Sequence, residues 1–205
     1  MVIVEHHHDI FGILEKAADR FRSSLSHFRP WHGQEGITEA NLVFQFATAF
    51  LETNRDGFAF VEVPFAAREG GRTNNRLDAY LVSGHVGYLL ECKQLWNPTQ
   101  AAEIASDIAR MGPHLIAELT KRHSATPPQR FYGLVLAETW NAETVHWWCQ
   151  DAQYPQWLHR WPREGFPAAW HFGSKEVFKA SESNQGTLHW LYGLSPDLLE
   201  TSTSA

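Results

Sequence analysis

The stretch from Leu77 to Gln94 constrains the fold more than any other part of the chain. Two apolar runs, residues 77–82 and 86–93, are separated by Ser83-Gly84-His85, a tight-turn signal, so the spacing predicts a β-hairpin. Set into these runs are Asp78, Glu91 and Lys93. Strand side chains alternate faces, so Glu91 and Lys93 share one face while Leu90 and Cys92 take the other. If the hairpin pairs in the expected register, Asp78 reaches the same point from the neighbouring strand. Charges placed in otherwise apolar strands are either an ion-pair cluster on an exposed face or a site.

The flanking sequence extends this unit. Residues 9–27 carry Ile10, Leu14, Ala17, Phe21 and Leu25 at helical spacing, with Asp9 as a candidate cap, and Pro30 ends the pattern. A second helix is predicted over residues 38–53, with Thr38 as N-cap, Leu42, Phe46 and Phe50 as its apolar stripe, and Glu39 in its first turn, where a carboxylate suits the helix dipole. Residues 58–65 read as a strand rich in Phe and Val. Residues 66–75 form a loop with Gly70-Gly71, Asn74-Asn75, Arg68 and Arg72, and Arg76 follows directly. Asn97-Pro98-Thr99 starts a further helix, broken at Gly112-Pro113 and resumed to about Lys121. Residues 131–137 are apolar enough for a central strand. Beyond Glu138 the pattern predicts a strand over residues 145–149, irregular chain over 154–172 and a short last element over 186–194. The Trp-rich C-terminal part reads as core or interface rather than as a base-stacking platform, and Cys149 is expected to be buried beside Trp148.

Size and charge narrow the classes. A chain of 205 residues fits one domain, here with a core at about 38–138, an N-terminal helix over 9–27 and a C-terminal extension over 139–205. No apolar run reaches membrane-spanning length, the start is too soon acidic for a secretory signal, and the two distant cysteines suggest no disulfide framework, so the expected compartment is the cytoplasm. The net charge of −6 argues against non-specific nucleic-acid binding through a globally basic surface. His6-His7-His8 reads as a solvated N-terminal segment.

Two carboxylates and an ammonium group gathered at one point suit metal-assisted phosphodiester hydrolysis. Asp78 and Glu91, with the Cys92 carbonyl, supply hard oxygen ligands for Mg²⁺ or Mn²⁺, and Lys93 orients water or stabilises charge in the transition state. Partial desolvation would lower the pKa of Lys93, and the neighbouring carboxylates oppose that.

At these residues the chain resembles the PD-(D/E)xK nuclease superfamily, with Asp78 on one strand and Glu91-Cys92-Lys93 on the next. Leu77 stands where the family name has proline. The resemblance covers about half the chain and implies a restriction-endonuclease-like α/β fold: a mixed central sheet flanked by helices, with core order α-β-β-β-α-β. It implies Glu39 as the supporting acid from the first core helix, with Glu35 and Glu52 as weaker candidates, and it matches Gln94 to a glutamine that follows the lysine in some members. The expected function is metal-dependent cleavage of nucleic acid, DNA rather than RNA, with Arg68, Arg72, Arg76 and Gln94 as candidate phosphate contacts. No membrane partner is expected, and a homodimer or a protein partner is left open. The rival reading is a catalytically degenerate nuclease fold used for binding or assembly. A small-molecule enzyme using the histidines is a third. Asp107 and Arg110 read as a surface ion pair.

Overall fold

The hairpin forms in the expected register. In the computed structural model, β2 (Arg76–Ser83) and β3 (Val86–Gln94) pair antiparallel, Ser83 opposite Val86 and Ala79 opposite Leu90. Gly84 takes φ +56°, which the tight turn needs and which a side chain would resist. The structure describes residues 3–28 (side chains from residue 10), 37–65, 75–150, 156–179 and 186–200. Arg68, Arg72, Glu35 and the side chains of His6, His7 and His8 lie outside the described residues.

Among the described residues the hairpin sits inside a six-stranded mixed sheet flanked by five α-helices, an α/β architecture. With β1 (Phe58–Pro64), β4 (Arg130–Thr139), β5 (His171–Lys179) and β6 (Thr187–Leu194), the strand order is β1-β2-β3-β4-β6-β5. Only β3 and β4 run parallel; every other neighbouring pair is antiparallel. The parallel pair requires a crossover, supplied by α3 (Pro98–Arg110) and α4 (Pro113–Lys121). β3 and β4 are almost wholly buried, as strands covered on both faces must be.

Two cores flank the sheet. Leu90, Cys92, Leu134 and Leu136 point to the face covered by α1 (Ile3–His27) and α2 (Glu39–Thr53), where Ile10, Leu14, Phe46 and Phe50 meet them. Leu89, Val135 and Ala137 point to the other face, against Ile104 and Ile108 of α3, Leu115 and Leu119 of α4, and Trp147 and Trp148. Glu91 and Lys93 therefore emerge on the α3 side, as alternation requires.

Several expectations need correction. α1 begins at Ile3, so Asp9 lies within the helix instead of capping it. Thr38 stands at the N-cap of α2 in extended conformation, but its hydroxyl accepts from the Asn41 side chain, not from the helix backbone. Residues 145–149 are not a strand: they belong to α5 (Ala142–Trp148) and its end, and Asn141 caps that helix by accepting from the Glu143 amide. Cys149 is exposed rather than buried, because Trp147 and Trp148 take the inward positions of the last turn of α5. Trp147, Trp148, Trp161, Trp170 and Trp190 are core residues. No helix among the described residues is long and apolar enough to cross a membrane.

Candidate metal centre

Pairing between β2 and β3 ends at Ala79 and Leu90, so the next residues, Asp78 and Glu91, face each other just past the ladder. There a side chain takes over from the backbone: the Cys92 amide donates to Asp78 Oδ2 at 2.6 Å. Glu91 is 4% exposed and hydrogen-bonded to Asp78. Lys93 stands one step further on the same face, with its Nζ 3.7 Å from Glu39 Oε1, 3.6 Å from Glu103 Oε2 and 3.7 Å from Asp107 Oδ2. The four principal expected residues, Glu39, Asp78, Glu91 and Lys93, are thus brought together.

Glu39 arrives from the first turn of α2, where its Oε1 accepts from the Gln94 amide at 3.3 Å. Glu52, at the far end of the same helix, pairs instead with Lys16 and Arg20 of α1. Gln94 holds this corner together. Its side-chain amide donates to the Ile37 carbonyl and, at 3.3 Å, to Glu138 Oε1, so it ties the start of α2 to the sheet. Arg76 opens β2 and pairs at 3.3 Å with Glu62.

The helix after the hairpin contributes more than expected. Asp107 is 5% exposed, not a surface residue, and it bonds to Arg110, whose Nη2 also lies 3.4 Å from Glu91 Oε1. The signal was in the sequence: Ala101, Ile104 and Ile108 mark the buried stripe of α3, and Asp107 is three residues past Ile104, on that stripe. Glu138 was also missed. It is fully buried near the end of β4, directly across from Gln94. Glu62 is the third addition, lining with Glu39, Asp78 and Gln94 a cleft of about 550 Å³. It adopts φ +53°, a left-handed conformation that a side chain resists by about 1 kcal/mol.

Charge balance dominates the electrostatics. Among the described residues, Glu39, Asp78, Glu91, Glu103, Asp107 and Glu138 gather around Lys93 and Arg110. Burial followed by repulsion from Asp78 and Asp107 pushes the Glu91 carboxyl up to about 9, so at neutral pH it is protonated and donates to Asp78. Burial also raises Asp78, Asp107 and Glu39 above the usual carboxylate range, although Lys93 pulls each of them back. For Lys93 the competition runs the other way. Burial disfavours its charge, but Glu39, Asp107, Glu103 and Asp78 outweigh that and hold its pKa above the ordinary lysine value. Lys93 is therefore an ammonium donor here and not a neutral base.

The donor set suits a hard divalent cation. Asp78 and Glu91 are adjacent and partly desolvated, and a cation between them would take the place of the proton that Glu91 shares with Asp78. Among the described residues no three His, Cys, Asp or Glu side chains already form a metal-holding group. A pair is enough for Mg²⁺, which commonly takes one or two carboxylates and completes its shell with water and substrate oxygens.

Comparison with protein-family models, curated proteins and solved structures found no match to this chain.

Proposed function

We propose that the protein is a metal-dependent nuclease that hydrolyses phosphodiester bonds of nucleic acid, DNA in the first instance. The observation that carries the reading is the meeting of Asp78, Glu91 and Lys93 where the hairpin ladder ends, with Glu39 reaching in from the preceding helix. The succession α2, β1, β2, β3, α3, α4, β4 supports the reading: it differs from the expected order α-β-β-β-α-β by one additional helix, α4, in the crossover. The remaining strands, β6 and β5, extend the sheet beyond that core.

In this reading Asp78 and Glu91 hold Mg²⁺ or Mn²⁺, with the Cys92 carbonyl close by and Glu39 in support. When bound there, such a cation would supply Lewis-acid polarisation of the phosphate and a water of lowered pKa. Lys93 donates from its ammonium to a non-bridging oxygen of the phosphate, offsetting charge that grows in the transition state. Water oxygen bonds to phosphorus and gives up a proton to solvent, the bond to the leaving sugar oxygen breaks, and that oxygen takes a proton from solvent, so one water is added across the P–O bond. Arg110 and Asp107 position Glu91 and Lys93 from behind. The net charge of −6 leaves the alternative of a non-catalytic nuclease-fold module, which needs neither metal nor Lys93.

The test is cleavage of plasmid, single-stranded and branched DNA with Mg²⁺ or Mn²⁺. Wild type is expected to cut, and Asp78→Ala and Lys93→Ala to lose roughly a hundred-fold or more of the rate with their circular dichroism unchanged. Cutting that survives in both variants, or is absent from wild type, overturns the reading.

A further inference from the structure

A second groove, about 510 Å³, runs along β1 at the edge of the sheet and meets the carboxylate cleft at Glu62, which lines both. Aromatic rings line part of it, beside aliphatic side chains and the charged Glu62 and Arg122. Phe58 packs edge-on against Phe60 at 5.5 Å and against Tyr80 at 6.2 Å, and the His123 ring lies 5.9 Å from both Phe58 and Tyr80. One polar pair sits among them, Tyr80 Oη and His123 Nε2 at 2.9 Å. Phe60, although large and apolar, is 62% exposed. An apolar slot with a few fixed polar groups is the usual form of a small-ligand pocket.

We infer that this groove is a nucleobase subsite, seating an unpaired base of the strand whose phosphate lies at Asp78. The inference rests on the nuclease reading of Asp78, Glu91 and Lys93. Position supports it: Glu62 lines both the groove and the cleft that holds Asp78, and Tyr80 is two residues from Asp78 along β2, about 7 Å, so a base held against Tyr80 leaves its backbone within reach of the carboxylates. Chemistry supports it as well, since every base has a flat π-face that stacks on aromatic side chains whatever its sequence. The edge of β1 is, by contrast, a poor template for another protein strand. Glu62 breaks the extended backbone with φ +53°, Pro64 has no amide to donate, and the Pro64 carbonyl already accepts from Arg122 Nη1 at 2.6 Å. The exposed aromatic side chains thus suit a planar ligand better than an added strand. The substrate class that follows is single-stranded DNA, or duplex with an unpaired or extruded base.

The probe is a short single-stranded DNA oligonucleotide carrying one 2-aminopurine, titrated without divalent cation and followed by both fluorescence and anisotropy. Wild type is expected to quench the base on binding, and Phe60→Ala to weaken that quenched complex roughly five- to ten-fold. Phe60 is exposed enough for its loss to leave the fold intact, and His123→Ala provides a second variant. Binding seen by anisotropy without quenching, or quenching indifferent to both variants, overturns the subsite while leaving the cleavage reading to its own test. Phe60→Ala that converts a dimer to a monomer in sedimentation, with quenching unchanged, makes the groove a protein interface and overturns it too. Quenching that is lost in Phe60→Ala, kept in Asp78→Ala and accompanied by no cleavage in wild type upholds the base site and removes the nuclease reading.

Discussion

Glu138 is the residue whose environment departs furthest from the ordinary without serving as a proposed metal ligand. It is fully buried, its Oε1 accepts from Gln94, and its Oε2 has no hydrogen-bond partner within the described residues. Burial first, then repulsion from Glu39, raises its pKa from 4.5 to about 8. Between those values the folded protein holds a proton that the unfolded chain has released. The folded state therefore binds more protons, and stability falls as pH rises. The contribution is full below pH 4.5 and gone above about 8. Glu138→Gln keeps an oxygen for Gln94 and removes the titration. Relative to wild type the variant should gain stability on the order of a few kcal/mol between pH 5 and pH 8. Urea unfolding at the two pH values reads this directly, and a difference between the proteins that does not change with pH refutes it. The same logic explains why such a residue was not legible in sequence. Glu138 follows an apolar strand like any solvated terminal acid, and its burial is decided by α2 and β6 closing over it.

At the scale of elements, α3 is the piece that turns a hairpin into a site. It carries Glu103, Asp107 and Arg110 to Lys93 and Glu91. Its start is fixed reciprocally: Asn97 Oδ1 accepts from the Gln100 amide at 3.1 Å, and Gln100 Oε1 accepts from the Trp96 amide at 2.7 Å. Asn97→Ala should cost about 1 kcal/mol of stability, measurable by urea unfolding, with the helix still present. No loss at all would mean that packing of Ile104 and Ile108 alone sets the helix start. This element was readable because Asn-Pro and Gly-Pro punctuate both of its ends. The hairpin was readable because its turn and its alternation agree. By comparison, α5 was misread because Val145, Trp147 and Trp148 favour strands locally, and only the Asn141 cap and the packing of both tryptophans make it a helix. β5 was missed because it is an edge strand with a single fully buried residue, Val177, and a register shift between Glu176 and Phe178, so no alternation survives.

For the whole molecule, the decisive question is what completes the sheet beside β4. The core order that we propose ends at β4, yet β4 is not an edge: β6 pairs with it from Leu134 to Thr139, and residues after β6 finish the other half. There the Gly133 amide donates to Ser195 Oγ at 2.7 Å, the Leu198 amide donates to the Phe131 carbonyl at 2.8 Å, and the Phe131 amide donates to Asp197. Trp190, stacked on Phe21 of α1 at 5.5 Å, joins the N-terminal helix to this strand. A chain ended after Trp140 would expose the whole outer edge of β4 and uncover Phe21, Leu136 and Ala137. Unpaired buried amides and carbonyls each cost about 1–3 kcal/mol, and the lost apolar contacts add more, against a total stability of about 5–15 kcal/mol for a domain. The segment 1–140 should therefore fail to fold, giving a poorly dispersed amide NMR spectrum and no cooperative unfolding transition. A dispersed spectrum from that segment would show that the core order stands alone, with β6 and β5 a true extension. Failure to fold would mean that the Trp-rich third is structurally obligatory, and that Asp78, Glu91 and Lys93 are held in place by strands, β6 and β5, that follow β4 in the chain.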